Sequence, residues 1–265
     1  MQMTFSTLIS GSGGNASVAA TDSCALLIDA GAPGQTLSEL LVKAEVPPEK
    51  LCGIIVTHDH VDHTSGVGVM ARRYKLPVYA TFGSWQVMSP RIGRLGDKQH
   101  IAFSAGETLT VGDFSVATFA TPHDAAESIG MTVDSGGPVV GVMTDIGHAD
   151  DGLLSHVSGC DVLLLEANHD IGMLKTGPYP PQLKERILSD RGHLSNAACG
   201  EALVKLVRAG LPAVILGHLS KENNTPQLAL NTVAQALRAA GIAPGQDVLL
   251  DLAPRHTVGR RYCIG

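Results

Sequence analysis

Short apolar runs recur through the first half of the chain, at 4–9, 16–20, 25–29, 51–56 and 77–80. Each is closed by Gly, Asp, Asn or other polar residues, which predicts strands and turns. Between them, 36–44 and 65–74 carry apolar positions at helical spacing. The strand pattern continues at 111–120, 129–133 and 139–144. The second half changes character: 161–165 and 213–216 read as short buried strands, and 150–157, 195–209 and 225–240 as helices. Two β-rich blocks, each interrupted and closed by helices, predict an α/β fold of two packed sheets with helices outside. The turn Ser10-Gly11-Ser12-Gly13-Gly14-Asn15 lacks the lysine of a P-loop and no helix follows it, so it reads as a flexible turn.

The strand expected at 51–56 runs directly into Thr57-His58-Asp59-His60-Val61-Asp62-His63, which sets five metal-competent side chains in six positions. In a tight loop, His58 and His60 converge on one cation while Asp62 and His63 are carried round to a second. The spacing differs from H-E-x-x-H, where two histidines lie four apart on a helix. A two-metal centre needs further ligands at the ends of later strands. His123 follows Phe119-Ala120-Thr121, Asp145 follows Gly141 to Thr144, and His218 follows Ala213 to Gly217. On this placement His58, His60 and His123 hold one metal, Asp62, His63 and His218 the other, and Asp145 bridges them.

At 265 residues the chain is long enough for one large domain, and no linker favours two. Aromatics make up only 4%, so Ala, Val, Leu and Ile must build the core. No apolar run reaches a membrane-spanning length, and the first residues lack a signal-peptide pattern. Cys24, Cys52, Cys160, Cys199 and Cys263 are odd in number and scattered, which favours reduced thiols in a cytoplasmic protein. The net charge of −6 argues against a broadly basic nucleic-acid surface, though not against a local one. Arg72, Arg73 and Lys75, then Arg91, Arg94 and Lys98, form two small basic groups that read first as solvated faces.

The motif 58–63, Thr121-Pro122-His123-Asp124, Thr144-Asp145 and Gly217-His218-Leu219-Ser220 resemble the metallo-β-lactamase superfamily over nearly the whole chain. The resemblance implies a single domain over 1–265, a four-layer αββα sandwich with two mixed sheets, and a dinuclear metal site. The Gly-rich turn, Pro122 to Glu127, Tyr179-Pro180 with Leu183 to Ile187, Gly192 to Asn196, and His218 to Pro226 are most similar to the YycJ (WalJ) branch, which is exonuclease-like and related to tRNase Z phosphodiesterases.

In the tRNase Z-like pattern a Glu after an apolar strand pairs with a His ahead of a helix, and Glu166 and His193 match those positions. The resemblance therefore implies a phosphodiesterase of DNA or RNA in which a metal-bridging hydroxide attacks phosphorus, Asp62 handles its proton, and His193, backed by Glu166, serves the leaving oxygen. A metallohydrolase of a small cyclic phosphodiester, thioester or lactone is the alternative. His and carboxylate ligands admit Zn²⁺, Mn²⁺ and Fe²⁺. The sequence leaves open the oligomeric state, a homodimer included. His148 and His169, near the same strand ends, read as exposed.

Overall fold

The computed structural model describes residues 2–265. In chain order the elements begin β1 (Met3–Ile9), β2 (Ala16–Ala20), β3 (Ala25–Ile28), α1 (Gly34–Lys43), β4 (Leu51–Ile55), α2 (Val61–Thr64), α3 (Val67–Tyr74), β5 (Val78–Thr81), α4 (Phe82–Ile92) and β6 (His100–Phe103). They continue as β7 (Thr108–Val111), β8 (Phe114–Ala120), β9 (Ile129–Asp134), β10 (Val139–Met143), α5 (Asp151–His156), β11 (Val162–Glu166) and α6 (Ile171–Thr176). The last are α7 (Pro181–Leu188), α8 (Asn196–Arg208), β12 (Ala213–Gly217), α9 (Pro226–Ala239), β13 (Leu249–Leu252) and β14 (Tyr262–Ile264). The strands fall into two seven-stranded mixed sheets, which with the helices make an α/β fold.

Two compact units emerge from the packing. The first is the chain up to Ala120 with Ala125–Pro138 and Pro254–Gly265; the second is Thr121–Asp124 with Val139–Ala253. In the first unit one whole sheet runs β14-β1-β2-β3-β4-β5-β6. It is antiparallel up to β3 and parallel from β3 to β6. Strands β7, β8 and β9 form an antiparallel meander in the same unit. In the second unit β10, β11, β12 and β13 are parallel neighbours. Those central strands are apolar on both faces, as parallel strands covered by helices must be: Val140, Leu163, Leu165, Val214 and Leu216 are fully buried. Each such side chain stabilises the fold by about 1.5–3 kcal/mol.

Several elements depart from the sequence expectation for identifiable reasons. The run 111–120 is two strands, because Gly112 takes φ 59° and turns the chain into a hairpin. The helix expected at 65–74 begins at Val67, and the motif contributes its own short helical turn, α2. Strands β6, β13 and β14 are short and half-polar, too weak a period to read. Helix α4 contains Gly83 and Pro90, poor helix formers that hide it in the sequence. It forms because Thr81 caps it, accepting from Ser84 N at 3.3 Å, and because Trp85, Met88 and Ile92 bury one stripe.

Candidate metal centre

In the first unit, the parallel strands β3 and β4 end side by side, so that Asp29 and Thr57 meet. Asp29 Oδ1 accepts from Thr57 N at 2.8 Å, and Oδ2 accepts from Thr57 Oγ1 at 2.9 Å. Oδ2 also accepts from His63 Nδ1 at 2.7 Å. A carboxylate can only accept, so Nδ1 carries the proton and Nε2 is the donor atom left to a metal. The His58 ring centroid lies 4.6 Å from that of His60 and 4.1 Å from that of His63, so the three imidazoles form one group. Asp62 Oδ2 stands 3.7 Å from His63 Nε2. His58 and His63 are buried, while His60 and Asp62 are half-exposed, which gives the group an open side. Asp59, the motif acid not counted as a ligand, is buried and structural: it accepts from Ala126 N at 2.9 Å.

The Gly-rich turn proves to be a clamp on this loop. Asn15 Oδ1 accepts from Gly11 N and its Nδ2 donates to Gly11 O, which fixes the amide orientation. Nδ2 then reaches Asp62 Oδ2 at 3.2 Å and His63 Nε2 at 3.0 Å. The backbone follows suit, with Asn15 N donating to Asp62 O at 2.8 Å. Gly31 closes the contact, since a Cβ there would stand 1.6 Å from Asp62 O. Asn15 is buried, and the expectation of a flexible turn is overturned by these contacts.

In the second unit the centrepiece is Glu166, fully buried at the end of β11. Its Oε1 accepts from His193 Nδ1 at 2.7 Å and from His218 Nδ1 at 3.0 Å; its Oε2 accepts from Ile146 N at 2.8 Å and Leu194 N at 3.1 Å. Asp145 Oδ1 lies 3.0 Å from His218 Nδ1 and 3.8 Å from His123 Nε2. Ligand atoms of Asp145, Glu166, His193 and His218 all fall within 4.8 Å of one another. Burial alone would raise the Glu166 carboxyl, but the His193 charge and the two imidazole hydrogen bonds outweigh it and hold the pKa at about 2. Burial would likewise lower His193, yet the Glu166 carboxylate prevails and raises it above an ordinary imidazole.

The remaining expected residue, His123, is pinned from both sides. Its Nδ1 bonds Gly192 O at 3.1 Å, and its carbonyl accepts from Arg191 Nε and Nη2 at 3.1 and 2.8 Å. Arg186 pairs with the adjacent Asp124. Gly192 is required for this turn, because a Cβ would come within 2.3 Å of the Arg186 and Ile187 carbonyls. Asp29, Asp145 and His218 each occupy the left-handed region, with φ of 58°, 56° and 53°, at a cost of about 1–3 kcal/mol apiece.

The expected residues thus gather as His58, His60, Asp62 and His63 in one unit and as His123, Asp145, Glu166, His193 and His218 in the other. Asn15, Asp29, Arg186 and Arg191 escaped the sequence reading: an Asn in a Gly-rich turn, an Asp closing a strand and two surface-type arginines carry no spacing that marks them. Glu166 serves His218 as well as the expected His193. His169, read as exposed, is buried; burial depresses its imidazole to about 4. His148 is half-exposed and bonds Asp190 O. The donor set fits divalent metals. Nδ1 of His63, His123 and His218 is engaged by a carboxylate or carbonyl, which turns Nε2 of each into the ligand atom, and carboxylates accompany the imidazoles in both units.

Fold and donor set together define a metallohydrolase-type scaffold. The Beta-lactamase superfamily domain matches residues 25–219, and the chain belongs to this family. It is 38% identical over 246 residues to the exodeoxyribonuclease YycJ of Bacillus anthracis, covering 93% of both chains. Among solved structures it is similar to the metallo-β-lactamase fold protein YhfI of Bacillus subtilis, with a TM-score of 0.71 at 20% identity over 98% of this chain and 99% of that one. It is also similar to the short form of human tRNase Z, with a TM-score of 0.63 at 18% identity, covering 98% and 99%. These two likenesses extend the sandwich fold across the whole chain.

Proposed function

We propose that residues 1–265 act as one metallo-β-lactamase-type domain that hydrolyses phosphodiesters with two divalent metals, and that its substrate is DNA, attacked as an exonuclease would. The observation that carries the reading is the buried Glu166 bonded to His193 at 2.7 Å, a charged imidazole beside a ligand-type cluster. A β-lactam, thioester or lactone has no need of such a donor at a poor alkoxide leaving group. The relationship to an exodeoxyribonuclease supports DNA over RNA.

In this reading His58, His60 and His123 hold one metal and Asp62, His63 and His218 the other, with Asp145 shared. Zn²⁺ or Mn²⁺ suits the set, and Fe²⁺ is admitted by it. Such ions supply Lewis acidity toward phosphoryl oxygens and ionise a water near neutral pH. The protein's own residues do the rest. Asp62, on the open side of its group, orients the attacking water and takes up its proton, and Asn15 holds the Asp62 carboxylate in place through Oδ2. His193 donates from Nε2 to the departing oxygen, since its Nδ1 proton is committed to Glu166. Glu166 keeps that ring charged and aimed. Five free cysteines support a reducing, cytoplasmic setting. No described helix is long and apolar enough to cross a membrane.

The test is purified protein loaded across a metal series and assayed on labelled single- and double-stranded DNA, RNA and bis(p-nitrophenyl) phosphate, with metal content from elemental analysis. Two metals per chain and DNA turnover are expected. One metal at saturation overturns the dinuclear assignment, and turnover of small esters without DNA turnover overturns the nuclease.

A further inference from the structure

Helix α4 presents a face that its fold does not explain. Trp85, Met88 and Ile92 point inward, while Phe82, Gln86 and Pro90 form one exposed row and Val87 and Arg91 the next. Phe82 is 56% and Val87 40% exposed. The third large apolar side chain exposed nearby in sequence and structure is Val61, at 58%, inside the motif itself. A soluble protein with only five phenylalanines has little reason to show one to water at such a position.

The helix is tied alongside the motif at both ends. At its C-terminal end Arg91 Nη2 donates to Asp59 O at 3.1 Å. At its N-terminal end Glu127 Oε2 accepts from Gly83 N at 2.9 Å, and Glu127 O accepts from Thr81 and Ser84 hydroxyls. The neighbouring Ala126 N donates to Asp59 Oδ1 at 2.9 Å. Asp59, between His58 and His60, is therefore the common anchor, and the exposed face of α4 forms the lip of the motif. The charge along this lip is complementary to a polyanion. From 82 to 98 the chain carries Arg91, Arg94 and Lys98 against Asp97 alone, in a protein of net charge −6, and all three cations are exposed.

We propose that this face is a track for single-stranded DNA, with Phe82 stacking on a base near the motif and Arg91 and Arg94 facing the phosphates behind it. The inference rests on the nuclease reading above and adds the form of its substrate. An aromatic ring beside a row of cations is the arrangement that holds an unpaired strand without reading its sequence. A duplex keeps its base faces stacked on one another and offers Phe82 nothing.

The experiment compares kcat/KM on a short labelled single-stranded oligonucleotide with that on bis(p-nitrophenyl) phosphate, for the full chain loaded with metal. For Phe82→Ala the ratio of the two should fall by about 5- to 100-fold, through KM on DNA, as loss of one stacked base implies. Phe82→Trp should restore it. Arg94→Ala, which leaves the Asp59 anchor intact, should weaken DNA binding and reduce its dependence on log salt by about one phosphate contact. A misfolded or metal-poor variant loses both activities together and leaves the ratio alone. Wild-type protein that cleaves the small diester but no DNA rejects the nuclease reading itself. Wild-type DNA cleavage with an unchanged ratio in Phe82→Ala overturns this inference alone, and an equal fall on blunt duplex overturns the single-strand assignment.

Discussion

The two groups of candidate ligands reach similar chemistry by opposite routes. His58, His60, Asp62 and His63 are nearly consecutive, and a loop with one helical turn is enough to collect them. Asp145, Glu166, His193 and His218 span more than seventy positions and are collected by sheet register. Met143 pairs with Leu165 and Glu166 with Gly217, so the ends of β10, β11 and β12 stand level and their next residues meet. The first group depends on side-chain clamps, chiefly Asp29 and Asn15, to keep a local loop in shape. The second depends on one buried carboxylate that braces two imidazoles at once. A local site is therefore exposed to failure at each ligand, whereas the dispersed site concentrates its vulnerability in Glu166.

The largest effect should come from the local group. Asp62→Ala removes a proposed ligand and the acceptor of the water's proton together. Turnover should fall by at least about 10⁴-fold, the upper end of acid–base effects, while circular dichroism and Tm stay near wild type because the side chain is half-exposed. Full activity in a variant that still binds two metals would assign the proton to another group.

Next comes His193→Ala, with a loss of about 10²–10⁴-fold on alkoxide-leaving diesters and little on p-nitrophenolate, which departs without a proton. Because Glu166 raises the His193 pKa, the donor form persists through neutral pH and disappears as pH rises through that raised value. The wild-type rate on poor leaving groups should therefore show an alkaline limb above the ordinary imidazole range, absent in the variant. Equal losses on both leaving groups would make His193 a binding residue.

Glu166→Gln sharpens the comparison most, since it should disturb both partners. Metal affinity is expected to weaken by about 10–100-fold through His218, and the alkaline limb should move to lower pH through His193. An unshifted limb with weakened metal binding would detach the carboxylate from the donor.

The smallest effect is on stability. His169 titrates at about 4 when folded and near 6.5 when unfolded, so between those values only the unfolded chain takes up the proton. Stability of the chelated protein should fall as pH drops from 6.5 to 4 and flatten below, and His169→Leu should reduce that slope by a few °C of Tm. Glu166, held at about 2, adds its own loss only below about 4.5. An unchanged slope would place the acid sensitivity elsewhere.

The same contrast explains what the sequence makes legible. Strands such as 16–20 and the helices after 195 and 225 can be read because burial imposes their period. The motif stands out because its spacing is local, and His123, Asp145 and His218 because each follows an apolar run. Asn15 and Asp29 do not stand out, since their role exists only once a turn and two strand ends have met. The double duty of Glu166 is hidden for the same reason: a residue's second partner leaves no mark in its own neighbourhood of the chain. Helix α4 was missed through its Gly and Pro, and with it the exposed Phe82.

Asp29, Asp145 and His218 sit in a backbone conformation that glycine would adopt without penalty. Selection for heat resistance alone would drift toward glycine at all three, and at each step the protein would become hardier and less able to work. An ancestor or engineered homologue that carries glycine at these strand ends can thus be recognised beforehand as a retired scaffold, and one that keeps them as still under the discipline of catalysis.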